Sequence, residues 1–286
     1  MSEMTPDLAV LDAIQRRVLW LATNMIEVAN HRRPDRDGLK VGGHQASCAS
    51  MVTLMTALYL HHLDADDFVA VKPHGSPVLH SLNYLMGNLD AEWLTELREF
   101  GGLQAYPSRT KDPDRVDFST GSVGLGPAAT IFAAGVRDYV DAHFGARPSS
   151  RFVAVLGDAE LDEGNVWEAV HDPASNALGQ VTWLVDFNRQ SLDRIVPDVR
   201  ISPWHAAFAA HGWQVIEVKY GRGSALSRPS MTANPCSSGS TGCPTSATSR
   251  SSGSAPPSCG PASSMAHRPR SQISSPACPT TRWRRW

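Results

Sequence analysis

Two short, almost wholly apolar runs, RFVAVLGD at 151–158 and VTWLVDFN at 181–188, restrict the fold more than any other feature of this 286-residue chain. Each has the length of a strand, and each is apolar at consecutive rather than alternate positions, the pattern of a strand covered on both faces. Between them ELDEGNVWEAVHDPASN, residues 160–176, reads as a helix. Strand, helix and strand of this kind make a right-handed βαβ unit whose strands run parallel and open on one edge. A helix in SPWHAAFAAHG at 202–212 and a strand in WQVIEV at 213–218 continue the alternation. The fold class is therefore α/β: a parallel sheet with helices on both faces, Rossmann-like, with ligands expected at the carboxyl ends of the strands.

Upstream, residues 8–30 place apolar side chains at helical spacing, and HRRPDRDGLKVGGHQ at 31–45 is a Gly- and charge-rich loop. Residues 46–63 are apolar nearly all round and predict a buried helix. FVAVKPHGSP at 68–77 reads as a short strand running into a loop, followed by helical segments near 77–87 and 90–100. A further helix is expected to begin at Gly126-Pro127, where proline suits the first turn.

Composition changes abruptly after residue 222. All 28 Asp and Glu lie at or before Glu217, whereas residues 223–286 hold seven Arg, no Lys, 17 Ser and 9 Pro, with one Leu and no Val, Phe or Tyr. Such a segment cannot bury enough apolar surface to offset chain entropy, and a disordered tail is expected. Arginine without lysine, scattered cysteines and the terminal RWRRW also fit coding DNA read out of frame beyond residues 221–223. The expected division is an N-terminal helix and loop at 1–37, an α/β domain at 38–222 and the tail at 223–286. An acidic body argues against nucleic acid as a partner. No apolar run approaches the roughly 18 residues of a membrane span, and MSEMTPDLAV is not a secretory leader, so a cytoplasmic protein is expected. Four of the five cysteines lie in the tail without a Cys-x-x-Cys pair, which disfavours zinc.

Chemistry concentrates where the apolar runs stop. Asp158 ends one and Asn188 the next, and the βαβ geometry brings both to the same sheet edge. A carboxylate and an amide oxygen are hard ligands suited to magnesium, and a helix starting beside them offers amides to an anion. Taken alone, the aspartate reads first as a cap of the helix.

Gly157-Asp158-Ala159 followed thirty residues later by Asn188-Arg189-Gln190 resembles the cofactor motif of thiamine diphosphate-dependent enzymes of the transketolase-like superfamily. GGHQAS at 42–47, HGSP at 74–77, LQAYPS at 103–108, SVGLGP at 122–127, GDAELDE at 157–163 and NRQSLD at 188–193 resemble it in order, covering roughly residues 38–220. The Asn-x-Gln ending is most similar to the homodimeric pyruvate dehydrogenase first component. The resemblance implies a thiamine diphosphate-binding fold in which Asp158, Asn188 and the Gln190 main-chain carbonyl hold magnesium. It further implies that Gly157, Ala159 and Glu160 approach the diphosphate by backbone, that Gly124, Leu125 and Gly126 touch the aminopyrimidine ring, and that Ser47 and Leu192 make supporting contacts. His44 and His74 resemble the histidines of the reaction centre, expected to orient oxygens and move protons near neutral pH. Ala159 stands where the family usually has a glycine.

The family completes its site with a pyrimidine-binding domain from a neighbouring subunit, which has no counterpart here. The expected role is thus the diphosphate- and magnesium-binding domain of an enzyme acting on a 2-oxo acid, weak in binding and inactive alone, belonging to a homodimer or needing a partner chain. One rival is the N-terminal subunit of a split transketolase acting on a ketose phosphate. Another is an NAD-binding oxidoreductase, because residues 124–129, GLGPAA, satisfy G-x-G-x-x-A.

Overall fold

Three parallel strands, β1 (Phe68–Val71), β2 (Phe152–Gly157) and β3 (Val181–Asp186), pair in that order, with Phe68 beside Phe152 and Gly157 beside Asp186. The computed structural model describes residues 7–34, 40–191, 194–195 and 201–218, with backbone alone for Gln190, Ser191, Arg194 and Ile195. The expected tail at 223–286 lies outside the described residues.

Alternation of side chains along each strand divides the core into two clusters. Val69, Val71, Val153 and Val155 meet α1 (Leu8–Glu27), α2 (Gln45–Ala57) and α3 (Ser76–Leu85) on one face, packing on Met25, Met51, Met55 and Leu82. Ala70, Ala154 and Leu156 meet α4 (Leu125–Phe144), α5 (Gly164–His171) and α6 (Ile201–Ala210) on the other, among Ile131, Val166, Val170 and Phe208. The expected α/β architecture, with helices on both faces of a parallel sheet, is what forms.

Several boundaries differ from the sequence reading. Helices α1 and α2 each end in a five-residue π turn, at Val28–Arg32 and Leu58–His62. α2 is not buried all round: Cys48, Met51, Val52 and Met55 face the core, while Ala46, Ala49, Ser50 and Thr53 are exposed. The helix expected at 90–100 is only a 3-10 turn, Ala91–Thr95, because Arg98 turns back at φ 62° and donates its N–H to Leu103 O at 2.7 Å. The helix expected at 160–176 is a 3-10 turn at Asp158–Asp162, then α5, then a second 3-10 turn at Pro173–Ala177 capped by Asp172. Residues 213–218 form no strand. The Trp213 N–H bonds back to Phe208 O at 3.1 Å, Trp213 and Val215 are half-buried, and Ile216 and Val218 are 74% and 88% exposed, so the segment lies on the core without entering a ladder.

A buried charge cluster ties α3 to the loop before α4. His80 is fully buried, with Nδ1 2.8 Å from Asp114 Oδ2 and Nε2 3.3 Å from Gln104 O. Asn83 Nδ2 donates to the same Asp114 oxygen at 2.7 Å, and Asp112 accepts from the N–H groups of Gln104 and Ser108, both at 2.7 Å. Burial opposes a charge on His80, but the Asp114 hydrogen bond and the charges of Asp114 and Asp112 outweigh it and raise the pKa. Stability linked to that proton is therefore complete below the ordinary histidine range and is lost as pH climbs through the raised value. Melting curves from pH 5.5 to 9 should show this decline, and His80→Gln should remove it while costing about 3 kcal/mol at pH 6. A variant retaining the wild-type slope would refute the assignment.

Candidate functional site

The carboxyl ends of the three strands gather the titratable groups. Asp158 follows β2 directly and is 5% exposed. One carboxylate oxygen, Oδ2, accepts the Arg189 N–H at 2.9 Å, which brings the turn after β3 against the end of β2. The other, Oδ1, is buried with no hydrogen-bond partner. Burial raises the Asp158 pKa and the charge of Asp186 adds to the rise, while the backbone N–H groups of Arg189, Asp158 and Ala159 oppose it. Asp158 does not cap the following turn, whose N-cap is Gly157. A buried carboxylate oxygen without a donor is costly unless something positive meets it.

Glu160 does more than the backbone contact expected of it. Its buried carboxylate accepts the Gly157 N–H at 3.1 Å through Oε1 and the Gly124 N–H at 2.9 Å through Oε2. One side chain thus holds the loop before α4 against the end of β2. Burial raises its pKa, while the Gly124 and Gly157 bonds and the Lys72 charge counter the rise. Gly124 is the left-handed N-cap of α4 at φ 81°, and a Cβ there would lie 2.7 Å from Asn165 Oδ1 and 2.9 Å from Glu163 Cβ, so only glycine fits. Leu125, the first residue of α4, is 43% exposed, and Gly126 lies close to Thr120 and Ala70.

A second constellation spans the same edge. Lys72, next after β1, is 4% exposed and reaches across the end of β2 to Asp186 Oδ2 at 2.7 Å. Ser50 Oγ on α2 donates to that oxygen at 2.5 Å. Asn188 Nδ2 lies 3.3 Å from both Asp186 Oδ2 and Ser50 Oγ. Lys72, Asp186 and Ser50 are absent from the sequence-derived site. Their signal was a lysine and an aspartate closing apolar strands, positions where a charge must find a partner.

His44 and His74 do meet. Their rings are 4.5 Å apart and edge-to-face, and Tyr106 lies 4.7 Å from His74. His74 sits at φ 61°, held by its N–H on Ala105 O at 3.0 Å and by the Cys48 thiol on its carbonyl at 3.3 Å. Asn30 positions the approach to His44 by bonding Gly42 in both directions, at 2.9 and 3.1 Å, and Arg98 Nη1 donates to Val41 O. Burial, followed by the charges of His44, Arg98 and Lys72, lowers the His74 pKa to about 4. His74 is therefore neutral at pH 7, not a group poised to titrate there, and its buried Nδ1 has no partner.

Ser47 is half-buried in the first turn of α2, and its carbonyl lies 3.2 Å from Ser50 Oγ. Ala159 is half-buried in the turn after Asp158. The backbone of Gln190 pairs with Ile195 in the short β4 (Gln190–Ser191) and β5 (Arg194–Ile195) hairpin, and Leu192 lies outside the described residues. Among the described residues, His80, Asp112 and Asp114 form a group of metal-type ligands away from these positions. The carboxylates there face opposite ring nitrogens, at 2.8 and 3.7 Å, and also accept from Asn83 and from the Gln104 and Ser108 N–H groups, so these atoms already serve the fold. Residues 116–124 form no strand, which removes the context that the NAD fingerprint at 124–129 requires.

Taken together, Asp158 Oδ1, the Asn188 amide and the Gln190 carbonyl are hard oxygen donors on adjoining turns, fit for magnesium. Gly157 has only Lys72 Cδ within 4 Å of where a side chain would begin, so its Cα leaves space beside these donors, while its N–H and that of Gly124 are held by Glu160.

Residues 18–231 match the family described as transketolase, thiamine diphosphate binding domain. The pyruvate dehydrogenase E1 component of Mycolicibacterium smegmatis is 32% identical over 225 residues, covering 74% of this chain and 24% of that protein. Transketolase-like protein 2 of Bos taurus is 31% identical over 202 residues, covering 67% and 31%. Transketolase from Leishmania mexicana superposes with a TM-score of 0.63 at 22% identity over 73% of this chain and 32% of that one, a likeness of fold. The chain spans about a quarter of the length of the pyruvate dehydrogenase relatives it matches.

Proposed function

This chain belongs to the transketolase thiamine diphosphate-binding domain family, and from that premise we propose that it holds the diphosphate end of thiamine diphosphate through magnesium, for chemistry on a 2-oxo acid. The observation that carries the proposal is the buried, unpartnered Oδ1 of Asp158. Asp158, Asn188 and the Gln190 carbonyl would hold the cation, and the backbone of Gly157, Ala159 and Glu160 would face the diphosphate. Glu160 keeps Gly124, Leu125 and Gly126 where they can border the aminopyrimidine, and Ser47 and Leu192 are assigned supporting contacts. The cofactor supplies a carbon nucleophile and an electron sink for the bond cleaved next to a carbonyl.

His44 and His74 are assigned to the substrate. Neutral at pH 7, His74 meets a substrate oxygen without a strong charge of its own, and its Nδ1 is buried without a partner. Arg98 and Lys72 act on it as nearby cations, the lysine already paired with Asp186. The 31–32% identity to pyruvate dehydrogenase components and the LQAYPS segment at 103–108 support a 2-oxo acid. Ketol transfer is the second reading, favoured by the 31% identity to transketolase-like protein 2.

A partner surface belongs to the same proposal. Phe132, Val136 and Tyr139 fall on one side of α4 and are each more than half exposed. They suit a second copy or a chain that supplies the pyrimidine-binding half. No helix among the described residues is long and apolar enough to cross a membrane; action in the cytoplasm is part of the reading.

Calorimetric titration tests it. With millimolar magnesium, thiamine diphosphate should bind and chelation should abolish binding, whereas NAD should give no heat. Binding of NAD alone, or thiamine diphosphate binding indifferent to chelation, would overturn the proposal.

A further inference from the structure

We propose that Lys72, Asp186 and Ser50 form a positioning relay that fixes which end of the Asn188 amide faces the cation. The inference rests on the functional reading above, because it concerns how a ligand of that magnesium is oriented. An asparagine amide can turn over and exchange oxygen for nitrogen with little change in shape, so only its hydrogen-bond partners choose the end that faces a metal.

Here the choice is made by charge. Asp186 Oδ2 receives Lys72 Nζ at 2.7 Å and Ser50 Oγ at 2.5 Å. Paired with a buried ammonium, the carboxylate is an acceptor and offers no proton. The third group on that oxygen, at 3.3 Å, is Asn188 Nδ2, and Ser50 Oγ lies 3.3 Å from the same nitrogen. The Ser50 proton is already directed at Asp186, so its oxygen is left to accept from Asn188 as well. Both neighbours therefore demand the nitrogen end of the amide, which sends Oδ1 to the opposite side. Turning the amide over would set its oxygen against a carboxylate oxygen.

Asp186 also explains why a lysine is buried at the end of β1. Asp186 and Asp158 stand on neighbouring strand ends and repel, and Asp186 adds to the raised pKa of Asp158. Lys72 meets the Asp186 member of that pair with an opposite charge at 2.7 Å. The three residues come from the residue after β1, from β3 and from α2, and none is among the proposed ligands.

The double variant Lys72→Met with Asp186→Leu tests the relay, because replacing a buried ion pair by apolar residues of similar size need not destabilise a fold. Its apo melting temperature should match wild type within a few degrees, while manganese affinity, read by electron paramagnetic resonance in the presence of thiamine diphosphate, should fall about 10- to 100-fold. Ser50→Ala, exposed and safe for folding, should fall severalfold, which keeps the inference testable should the double variant not fold. Both folded variants binding manganese as wild type does would overturn the relay and leave the functional reading intact. A wild-type chain that binds no manganese would overturn both.

Discussion

Replacing Asp158 by Asn should weaken magnesium-dependent binding of thiamine diphosphate by at least about 100-fold, beyond what loss of a mere orienting partner causes, and should leave the apo chain as stable as wild type or more so. The two expectations come from one observation. Asp158 Oδ2 accepts the Arg189 N–H, a bond an amide oxygen can keep, but Oδ1 is buried with nothing to meet it. Burial raises the Asp158 pKa, so its contribution to apo stability is complete below the ordinary carboxylate range and is lost as pH rises through the raised value. Asparagine has no such loss at neutral pH. Differential scanning calorimetry with and without magnesium and cofactor separates the effects. A helix-capping role predicts the reverse, a lower apo melting temperature with binding intact, and that result would remove Asp158 from the metal site.

Glu160→Ala is expected to cost about 2–4 kcal/mol, because the Gly124 and Gly157 N–H groups lose their acceptor together. For an ordered region of some 200 residues this lowers the melting temperature by roughly 6–12 °C. Glutamine has the right shape but only one carbonyl oxygen, so its amino group would face one of two donors; about 1–3 kcal/mol should still be lost. Because the loop before α4 is released from the end of β2, amide exchange at residues 122–126 should quicken in both variants, ahead of the rest of α4. Exchange confined to global unfolding would show that the loop is held by packing and not by Glu160.

The contrast between Asp158 and Glu160 shows what a sequence can say about a site. Both are acids following the same apolar run, two positions apart, and no pattern of residues separates them. Both Glu160 oxygens have a backbone donor, whereas Asp158 Oδ1 has no hydrogen-bond partner, and from that difference one carboxylate binds the fold together while the other is left with an oxygen for a ligand. Lys72 and Asp186 were hidden for a related reason. Each ends a strand and each needs a counter-charge, but only the pairing of β1 and β3 on either side of β2 reveals that they meet. The strand expected at 213–218 failed because an apolar run is shared by a strand and by an extended segment lying on a core, and hydrogen-bond partners decide between them.

Local chemistry was written in the residue order itself. Consecutive apolar side chains set the buried strands β2 and β3, the interval between them required a crossover helix, and a polar residue at each strand end marked the edge where a ligand belongs. Such features depend on neighbours a few positions apart, where covalent geometry leaves few choices. Which side chains satisfy one another across that edge depended on strand order, on the reach of Lys72 and Glu160, and on the amide end that Asn188 presents. Those are contacts between residues up to 138 positions apart, and only tertiary packing brings such partners within the 3 Å over which a hydrogen bond or ion pair acts.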